Sequence, residues 1–218
     1  MNHRHLRWVG LLSLMALLQG CASYEGVPNP AWFPRAAAID EGSRTPGRVA
    51  LWVQPQVQAT VSVIERVLRL QVGSIAERAV LATLGEGLQG GVQQVYAAPQ
   101  AAVGYSATVV LDAVRFEHHE RTLWSFWVPP LSSVSRYEAT MTLAFNLSLF
   151  DAQGRLVWRR TYDDDAGRLV WTTPSASSAP LPEDIGRVTH EAAWRLAQSV
   201  LRDMREWMDG ERMRPREL

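Results

Sequence analysis

The sequence predicts an α+β domain, in which helices pack on one face of a mainly antiparallel sheet. Two observations support this class. A pattern of strand, helix and strand is followed along the chain by a run of alternating strands and a closing helix. Of the 218 residues, 47% are hydrophobic and 20% are charged, which is a globular composition that can fill a sizeable core. We expect one such domain over residues 48–218.

The domain begins with two predicted strands. Val49–Val53 is a short apolar run that stops before Pro55, as expected of a buried strand. A second strand is predicted over residues 67–72, where Val and Leu recur.

A helix and a further strand follow. Ser74 is the predicted N-cap, because Glu77 lies behind it at capping-box spacing. The apolar stripe after them predicts an amphipathic helix that ends at Gly90 or Gly91. Residues 92–97 then predict a strand.

The second half of the domain is richer in strands. Residues 107–116 are dominated by Val, Leu and Thr, and residues 137–149 alternate between apolar and polar side chains, which predicts a long antiparallel strand with one buried face. Residues 151–154 supply a hairpin turn, and the partner strand continues from Leu156. The final helix is predicted over residues 182–208 from apolar side chains at helical spacing: Ile185, Val188, Ala192, Leu196, Val200, Met204 and Trp207.

The N-terminus has the layout of a bacterial export signal. Arg4 and Arg7 precede an apolar run, Trp8–Leu18, which is too short for a membrane-spanning helix of about 20 residues. The sequence Leu18–Cys21 resembles the lipobox of bacterial lipoproteins, with Gln19 in a position where Ala, Ser or Thr is usual. The resemblance implies that residues 1–20 are removed and that Cys21, the only cysteine of the chain, is attached to lipid. Several acyl chains would hold the mature protein at a membrane.

The residues after the cysteine predict the destination and a tether. In lipoproteins of the enterobacterial type an Asp after the cysteine retains the protein in the inner membrane, and here Ala22 occupies that position. We therefore expect the outer membrane, with the domain facing the periplasm. Residues 21–47 are rich in Pro, Gly and Ser and predict a flexible tether. A second interpretation, in which Trp32 and Phe33 attach part of this segment to the domain, is open.

The charge composition limits the classes of function. Without residues 1–20, the chain has 20 arginines and 22 acidic residues, a net charge of about −2. This balance argues against a nucleic-acid ligand, which requires a basic surface. The chain contains no Lys, which excludes Schiff-base and P-loop lysine chemistry. We predict no cofactor.

One motif could bind a phosphate. Gly85, Gly87 and Gly90 have the GxGxxG spacing of dinucleotide-binding folds. In those folds the glycines lie between a strand and the start of a helix. Here they lie at the end of a predicted helix, so we interpret them as a helix terminus.

Two polar clusters contain residues of metal-binding type. Glu117, His118, His119 and Glu120 alternate between the two faces of a strand, so that no single metal ion could contact all of them. Asp163–Asp165 lack the ligand spacing of an EF-hand. We interpret the first cluster as a solvated strand end and the second as a polar strand exit, and we predict no metal site.

The segment over residues 123–131 contains Trp124, Phe126 and Trp127 between two strong strands. Two interpretations are open. An apolar loop tip could contact a partner or a bilayer surface, or the loop could fold back over the end of the sheet. We select these three aromatic residues as the predicted contact site.

The arrangement of elements behind a lipobox resembles small envelope lipoproteins of the YajG-like type and, more distantly, the N-terminal domain of TolB. The resemblance rests on the strand before Gly73, the helix start at Gly73 and Ser74, the hairpin over residues 151–158 and the last helix, and it implies no functional residues. The predicted function is a lipid-anchored, non-catalytic binding or assembly accessory of the envelope, with an envelope protein as partner. The alternative is an auxiliary lipoprotein of an ABC-type lipid or solute transport system.

Overall fold

The structure is a computed structural model that describes residues 24–26, 44–64, 68–96, 104–128, 131–173 and 182–213. In chain order its elements are β1 (Tyr24–Gly26), β2 (Val49–Val53), α1 (Pro55–Gln58), β3 (Ser62–Ile64), β4 (Leu68–Leu70), α2 (Val72–Gly87), β5 (Val92–Val95), β6 (Ala107–Val128), β7 (Leu131–Asp151), β8 (Leu156–Thr173) and α3 (Pro182–Met213).

The main sheet has five strands in the order β5-β2-β6-β7-β8 and is mixed. Strand β2 runs parallel to both β5 and β6, whereas β6, β7 and β8 are antiparallel. The class of helices and strands is as predicted, but the mainly antiparallel sheet needs correction. A short apolar run such as β2 has the same composition whichever way its neighbours run, and the helical crossover through α2 returns the chain for parallel pairing with β5.

Both long helices pack on one face of this sheet. The alternating side chains of β7 put Met141, Leu143, Phe145, Leu147 and Leu149 into a single core with α2 and α3. Each is at most 1% exposed, and full burial of such a side chain contributes about 1.5–3 kcal/mol. The alternation in the sequence therefore correctly predicted the buried face of β7.

The first long helix differs from the prediction at both ends. Helix α2 begins at Val72, and its N-cap residue Gln71 makes no side-chain capping bond. Ser74 therefore lies inside the first turn. The side chain of Glu77 instead accepts hydrogen bonds from Gln94, at 2.5 Å, and from Gln58, at 3.4 Å. The helix ends at Gly87, earlier than Gly90, because the chain turns there to enter β5.

Three polar pairs attach α3 to β8. Asp203 accepts hydrogen bonds from the Tyr162 hydroxyl, at 2.8 Å, and from Arg160 Nη1, at 2.5 Å. Nearer the N-terminal end of α3, Arg195 forms an ion pair of 2.6 Å with Asp164. These contacts show that α3 runs antiparallel to β8.

Beyond Leu111, where its pairing with β2 ends, β6 continues together with β7 and β8. We call residues 115–128, 131–144 and 163–173 of these strands the ribbon. The turn over residues 151–154 lies at the opposite end of the sheet.

Strands β1, β4 and β3 form a small second sheet in the order β1-β4-β3. Strand β1 belongs to the predicted tether and pairs in parallel with β4, with Tyr24 opposite Leu68 and Gly26 opposite Leu70. The boundary of the tether remains a prediction, because its other residues before Arg44 lie outside the described part.

Candidate functional site: the end of the ribbon

The predicted aromatic loop is strand rather than loop. Strand β6 extends to Val128, and its backbone pairs with β7 as far as Leu131. Trp124 lies opposite Arg136, and Phe126 lies opposite Val134. A strand was not predicted here, because Pro129 and Pro130 and the aromatic cluster indicate a loop, whereas aromatic side chains also suit a paired strand. The two proline residues lie outside the described part.

Of the three predicted contact residues, the structure describes the side chain of Trp124 alone. The Trp124 side chain is 38% exposed, and Leu123 beside it is 37% exposed. The register shifts between Thr122 and Trp124, which places Leu123 in a β-bulge. For Phe126 and Trp127 the structure gives the backbone pairing only, and Cys21 lies outside the described residues.

Around Trp124, one face of the ribbon presents a mixed basic and apolar surface. Strand pairing places three cations, one carboxylate and two exposed apolar side chains on this face. We call this set the ribbon-end patch: Arg121, Trp124, Arg136, Glu138, Arg168 and Val170.

Glu138 lies at the centre of the ribbon-end patch and links its three strands. Its side chain is 3% exposed, and its Oε2 accepts from Arg121 Nε and Nη2 at 2.7 and 2.6 Å. Its Oε1 pairs with Arg168 Nε. A buried carboxylate requires such partners, and here one residue on β7 holds an arginine from β6 and one from β8.

The sequence analysis did not predict these ion pairs of Glu138 with Arg121 and Arg168. Glu138 was predicted on the polar face of the alternating strand, which is correct, but its burial was not predicted. The sequence contains one usable signal, an acidic residue in β7 whose antiparallel neighbours include Arg. That signal requires the register, because Arg121 and Arg168 are 17 and 30 positions away from Glu138.

A second polar cluster lies on the same sheet face, at the bulge after Leu111. Asp112 accepts hydrogen bonds from Gln54 Nε2, at 2.8 Å, and from Ser148 Oγ, at 2.5 Å. Arg159 Nε donates to Ser148 Oγ at 2.9 Å, and a groove of about 330 Å³ lies beside the cluster. The Asp112 carboxylate thereby connects the bulge in β6 with the residue that follows β2.

The two predicted polar clusters lie within strands rather than at strand ends. His118 and His119 are in the middle of β6, and His119 Nε2 lies 4.0 Å from the Glu117 carboxylate. Asp164, in the middle of β8, is paired with Arg195. Among the side chains that the structure describes, no three His, Cys, Asp or Glu come together as a metal site would require.

The GxGxxG residues lie at the end of α2, as predicted. Gly87 contacts α3 so closely that a Cβ there would lie 2.4 Å from Leu201 Cδ2. At Gly90, a Cβ would lie 2.6 Å from the carbonyl oxygen of Gly47. These glycines permit close packing of the helix and the loop.

Two titratable groups in the core have shifted pKa values. Burial, together with the hydrogen bond to Asp203, raises the pKa of the Tyr162 hydroxyl. Burial lowers the pKa of His190, whose Nδ1 lies 2.6 Å from the carbonyl oxygen of Gly186. Both groups lie on core-facing positions away from the ribbon-end patch. No helix within the described ranges is long and apolar enough to cross a membrane.

No family model and no curated protein match the chain. Solved structures do show similarity. The protein XCC0632 from Xanthomonas campestris, described as DUF330, is 14% identical with a TM-score of 0.40, over 85% of this chain and 94% of that one. A minor lipoprotein from Acinetobacter baumannii is 12% identical with a TM-score of 0.37, over 73% and 90%. A putative neuraminyllactose-binding hemagglutinin homolog from Helicobacter pylori is 10% identical with a TM-score of 0.43, over 84% and 97%.

Proposed function

We propose that the chain is a lipid-anchored lipoprotein of the outer membrane, faces the periplasm, and acts as a non-catalytic binding or assembly accessory. The export signal and the lipobox-like Leu18–Cys21 support the attachment and the compartment. In this proposal the lipid on Cys21 holds the domain at the membrane. A surface of the domain contacts a second component of the envelope, such as an envelope protein. Nucleic acid and cofactors have no part in it.

The observation that supports a contact role most strongly is the ribbon-end patch. It combines an exposed Trp with three arginines at the end of long paired strands, and Trp and Arg are the residue types that dominate binding energy at interfaces. The pairing of β6 with β7 fixes the backbone at Trp124, so that binding there requires no ordering of a loop.

Three carboxylates that connect elements of the fold support a structural role for these charged groups. Asp112, Asp164 and Asp203 each accept hydrogen bonds or ion pairs that connect two elements of the fold. Carboxylates that are occupied in this way stabilise the fold, and this use of the charged groups favours binding over catalysis.

Site-specific photo-crosslinking in intact cells tests this proposal. A photoreactive amino acid in place of Val170, which is exposed in the ribbon-end patch and lies opposite Glu138, should yield crosslinked products after irradiation. The same amino acid in place of Ala152, which is exposed in the turn at the opposite end, serves as the matched control. Adding Trp124→Ala should reduce the yield from position 170 without changing the abundance of the protein. Equal yields from both positions, or none from position 170, would contradict a contact surface at the ribbon end.

A further inference from the structure

This inference rests on the proposed function and names the occupant of the ribbon-end patch. We propose that the ribbon-end patch docks on an anionic phospholipid surface, the bilayer in which the lipidated N-terminus is held. The domain then stands against its own membrane with a fixed orientation instead of moving freely on a tether.

The first observation is the position of β1. Tyr24 is three residues after Cys21, and three residues of chain reach at most about 11 Å. Because Gly26 pairs with Leu70, two residues before α2, β1 is attached near the N-terminal end of α2. The covalent chain therefore limits the distance between Cys21 and Tyr24 to about 11 Å.

This end of α2 lies at the end of β2 that is nearer to the ribbon. Gly73 N donates to the carbonyl oxygen of Thr60 at 3.2 Å, just after α1, and Gln54 N donates to that of Leu111 at 3.2 Å, four residues before the ribbon part of β6 begins. The other end of α2 lies near the start of β2, since Gly90 N donates to Gly47 O at 3.1 Å. The anchor and the ribbon are thus attached to the same half of the domain.

The second observation is the charge of the patch. Its three arginines exceed its single carboxylate, so the residues of the patch have a net charge of about +2, whereas the mature chain has about −2. Side chains of Arg121 and Arg168 remain 70% and 61% exposed although both pair with Glu138. A local cationic surface on an acidic protein suits an anionic headgroup layer, in which each cation near the surface contributes about 1 kcal/mol.

The third observation is the identity of the exposed apolar side chains. Trp124 and Val170 are 38% and 40% exposed on the same face as the arginines, and Leu123 lies next to them in the bulge. Trp is enriched at the level of the lipid headgroups, because its apolar ring can contact the acyl chains while its N–H is hydrated. Trp beside Arg is therefore suited to this layer.

Depth-dependent fluorescence quenching of the lipidated protein in vesicles tests the inference. In the proposed lipoprotein the thiol of Cys21 is blocked by lipid, so Val170→Cys introduces the one reactive thiol, which lies in the patch and is labelled with NBD. Vesicles contain phosphatidylcholine with or without 30% phosphatidylglycerol, a composition chosen within the range of a strongly anionic bilayer, together with doxyl-labelled lipid as quencher. We expect quenching at position 170 in anionic vesicles and little at Ala152→Cys, the label at the opposite end.

Charge variants separate the headgroup contact from simple proximity. Arg136→Gln should reduce the ratio of docked to undocked ribbon about fivefold in anionic vesicles, which is the effect of one cation near the surface. The matched control is Arg115→Gln, an exposed arginine of the same ribbon that lies outside the patch. Circular dichroism and thermal midpoints of all variants should equal those of the parent.

Three results would overturn the inference: no quenching at position 170, equal quenching at positions 170 and 152, or quenching that depends neither on phosphatidylglycerol nor on Arg136. If position 170 nevertheless forms crosslinks to a protein in cells, the ribbon end has a protein occupant and the proposed contact role still holds. If crosslinking and quenching are both absent at position 170, the contact role itself fails.

Discussion

At the residue scale, the tightest steric constraint lies where α2 begins. A Cβ on Gly73 would lie 1.7 Å from the carbonyl oxygen of Val57, and this atom belongs to the backbone and cannot rotate away. Gly73 therefore allows α1 and α2 to pack against each other. Its place in the sequence, just before the predicted N-cap Ser74, indicated a helix start but not a contact with another element.

We predict that Gly73→Ala lowers the free energy of unfolding by about 3 kcal/mol, because the new Cβ must push α1 and α2 apart. Urea unfolding of the purified mature chain in detergent measures this change. Gly85→Ala is the control, since its Cβ would meet Val92 Cγ1 at an ordinary 3.5 Å and should change stability by no more than about 1 kcal/mol. Equal effects of the two substitutions would contradict the steric explanation.

Tyr162 should make the stability of the fold depend on pH in the alkaline range. Burial and the hydrogen bond to Asp203 raise its pKa in the folded state, so the tyrosinate forms more readily in the unfolded chain. The contribution of Tyr162 to stability is complete below the unfolded pKa of about 10 and is lost as the pH rises above it. The chain has no Lys that would titrate in the same range.

We therefore predict that the free energy of unfolding decreases from about pH 10 upward and that Tyr162→Phe reduces this slope. At neutral pH the same substitution should cost about 1 kcal/mol, the value of the lost hydrogen bond. Denaturant unfolding at several pH values measures both effects. Tyr96→Phe, in which the altered ring is 86% exposed, should behave like the wild type. A slope that is unchanged by Tyr162→Phe would show that another group is responsible.

At the scale of elements, the ribbon depends on cross-strand pairs. Helix α3 packs against β7 and β8, and β2 pairs with β6 only as far as Leu111. The ion pairs of Glu138 with Arg121 and Arg168 connect the three strands on the opposite face. The ribbon can therefore open locally while the five-stranded part of the sheet stays intact.

Glu138→Gln should increase hydrogen exchange of ribbon amides about tenfold and leave exchange in β2 unchanged. The replacement removes the carboxylate charge from two ion pairs, and solvent screening at the exposed arginines keeps the loss near the lower end of the range for a hydrogen bond to a charged group, about 1.5 kcal/mol. Hydrogen exchange monitored by mass spectrometry resolves the two regions. Asp163→Asn, a change in an exposed carboxylate of β8, should have no effect, and equal acceleration in β2 would indicate global destabilisation instead.

At the scale of the whole molecule, the lipoprotein prediction makes attachment to the membrane depend on one residue, Cys21. Several acyl chains on this residue, each buried methylene contributing about 0.8 kcal/mol, would make the attachment effectively permanent. We predict that Cys21→Ser moves the protein out of the membrane pellet after a high-salt wash, whereas the wild type remains in it. Cell fractionation and immunoblotting measure the two fractions, with Ser23→Ala as a control near the same site. Equal pelleting of wild type and Cys21→Ser would contradict the lipoprotein prediction.

The wild-type protein should be found in the outer-membrane fraction of a density gradient, because Ala22 rather than Asp follows the cysteine. Ala22→Asp should shift it toward the inner-membrane fraction if the enterobacterial sorting rule applies. A wild-type protein that already fractionates with the inner membrane would contradict the predicted destination.

The sequence by itself determined the features that local patterns encode. Alternation defined the buried face of β7, helical spacing defined α3, and Asp151 to Gly154 defined the turn between β7 and β8, in which Asp151 Oδ1 accepts from Gln153 N at 2.9 Å. A side-chain period or a turn motif is complete within about 20 neighbouring residues, so one sequence is enough to recognise it.

Only the tertiary structure decided the direction of β2, the length of the ribbon and the surroundings of Glu138. These depend on which distant segments become neighbours, and strand register brings Arg121 and Arg168 to the same carboxylate although neither is near it in the chain. The same pairing turned an expected aromatic loop into a strand that presents Trp124 beside Arg136. Pairing energies between distant strands are set by the packing of the whole sheet, and the local composition of each strand does not specify its partner.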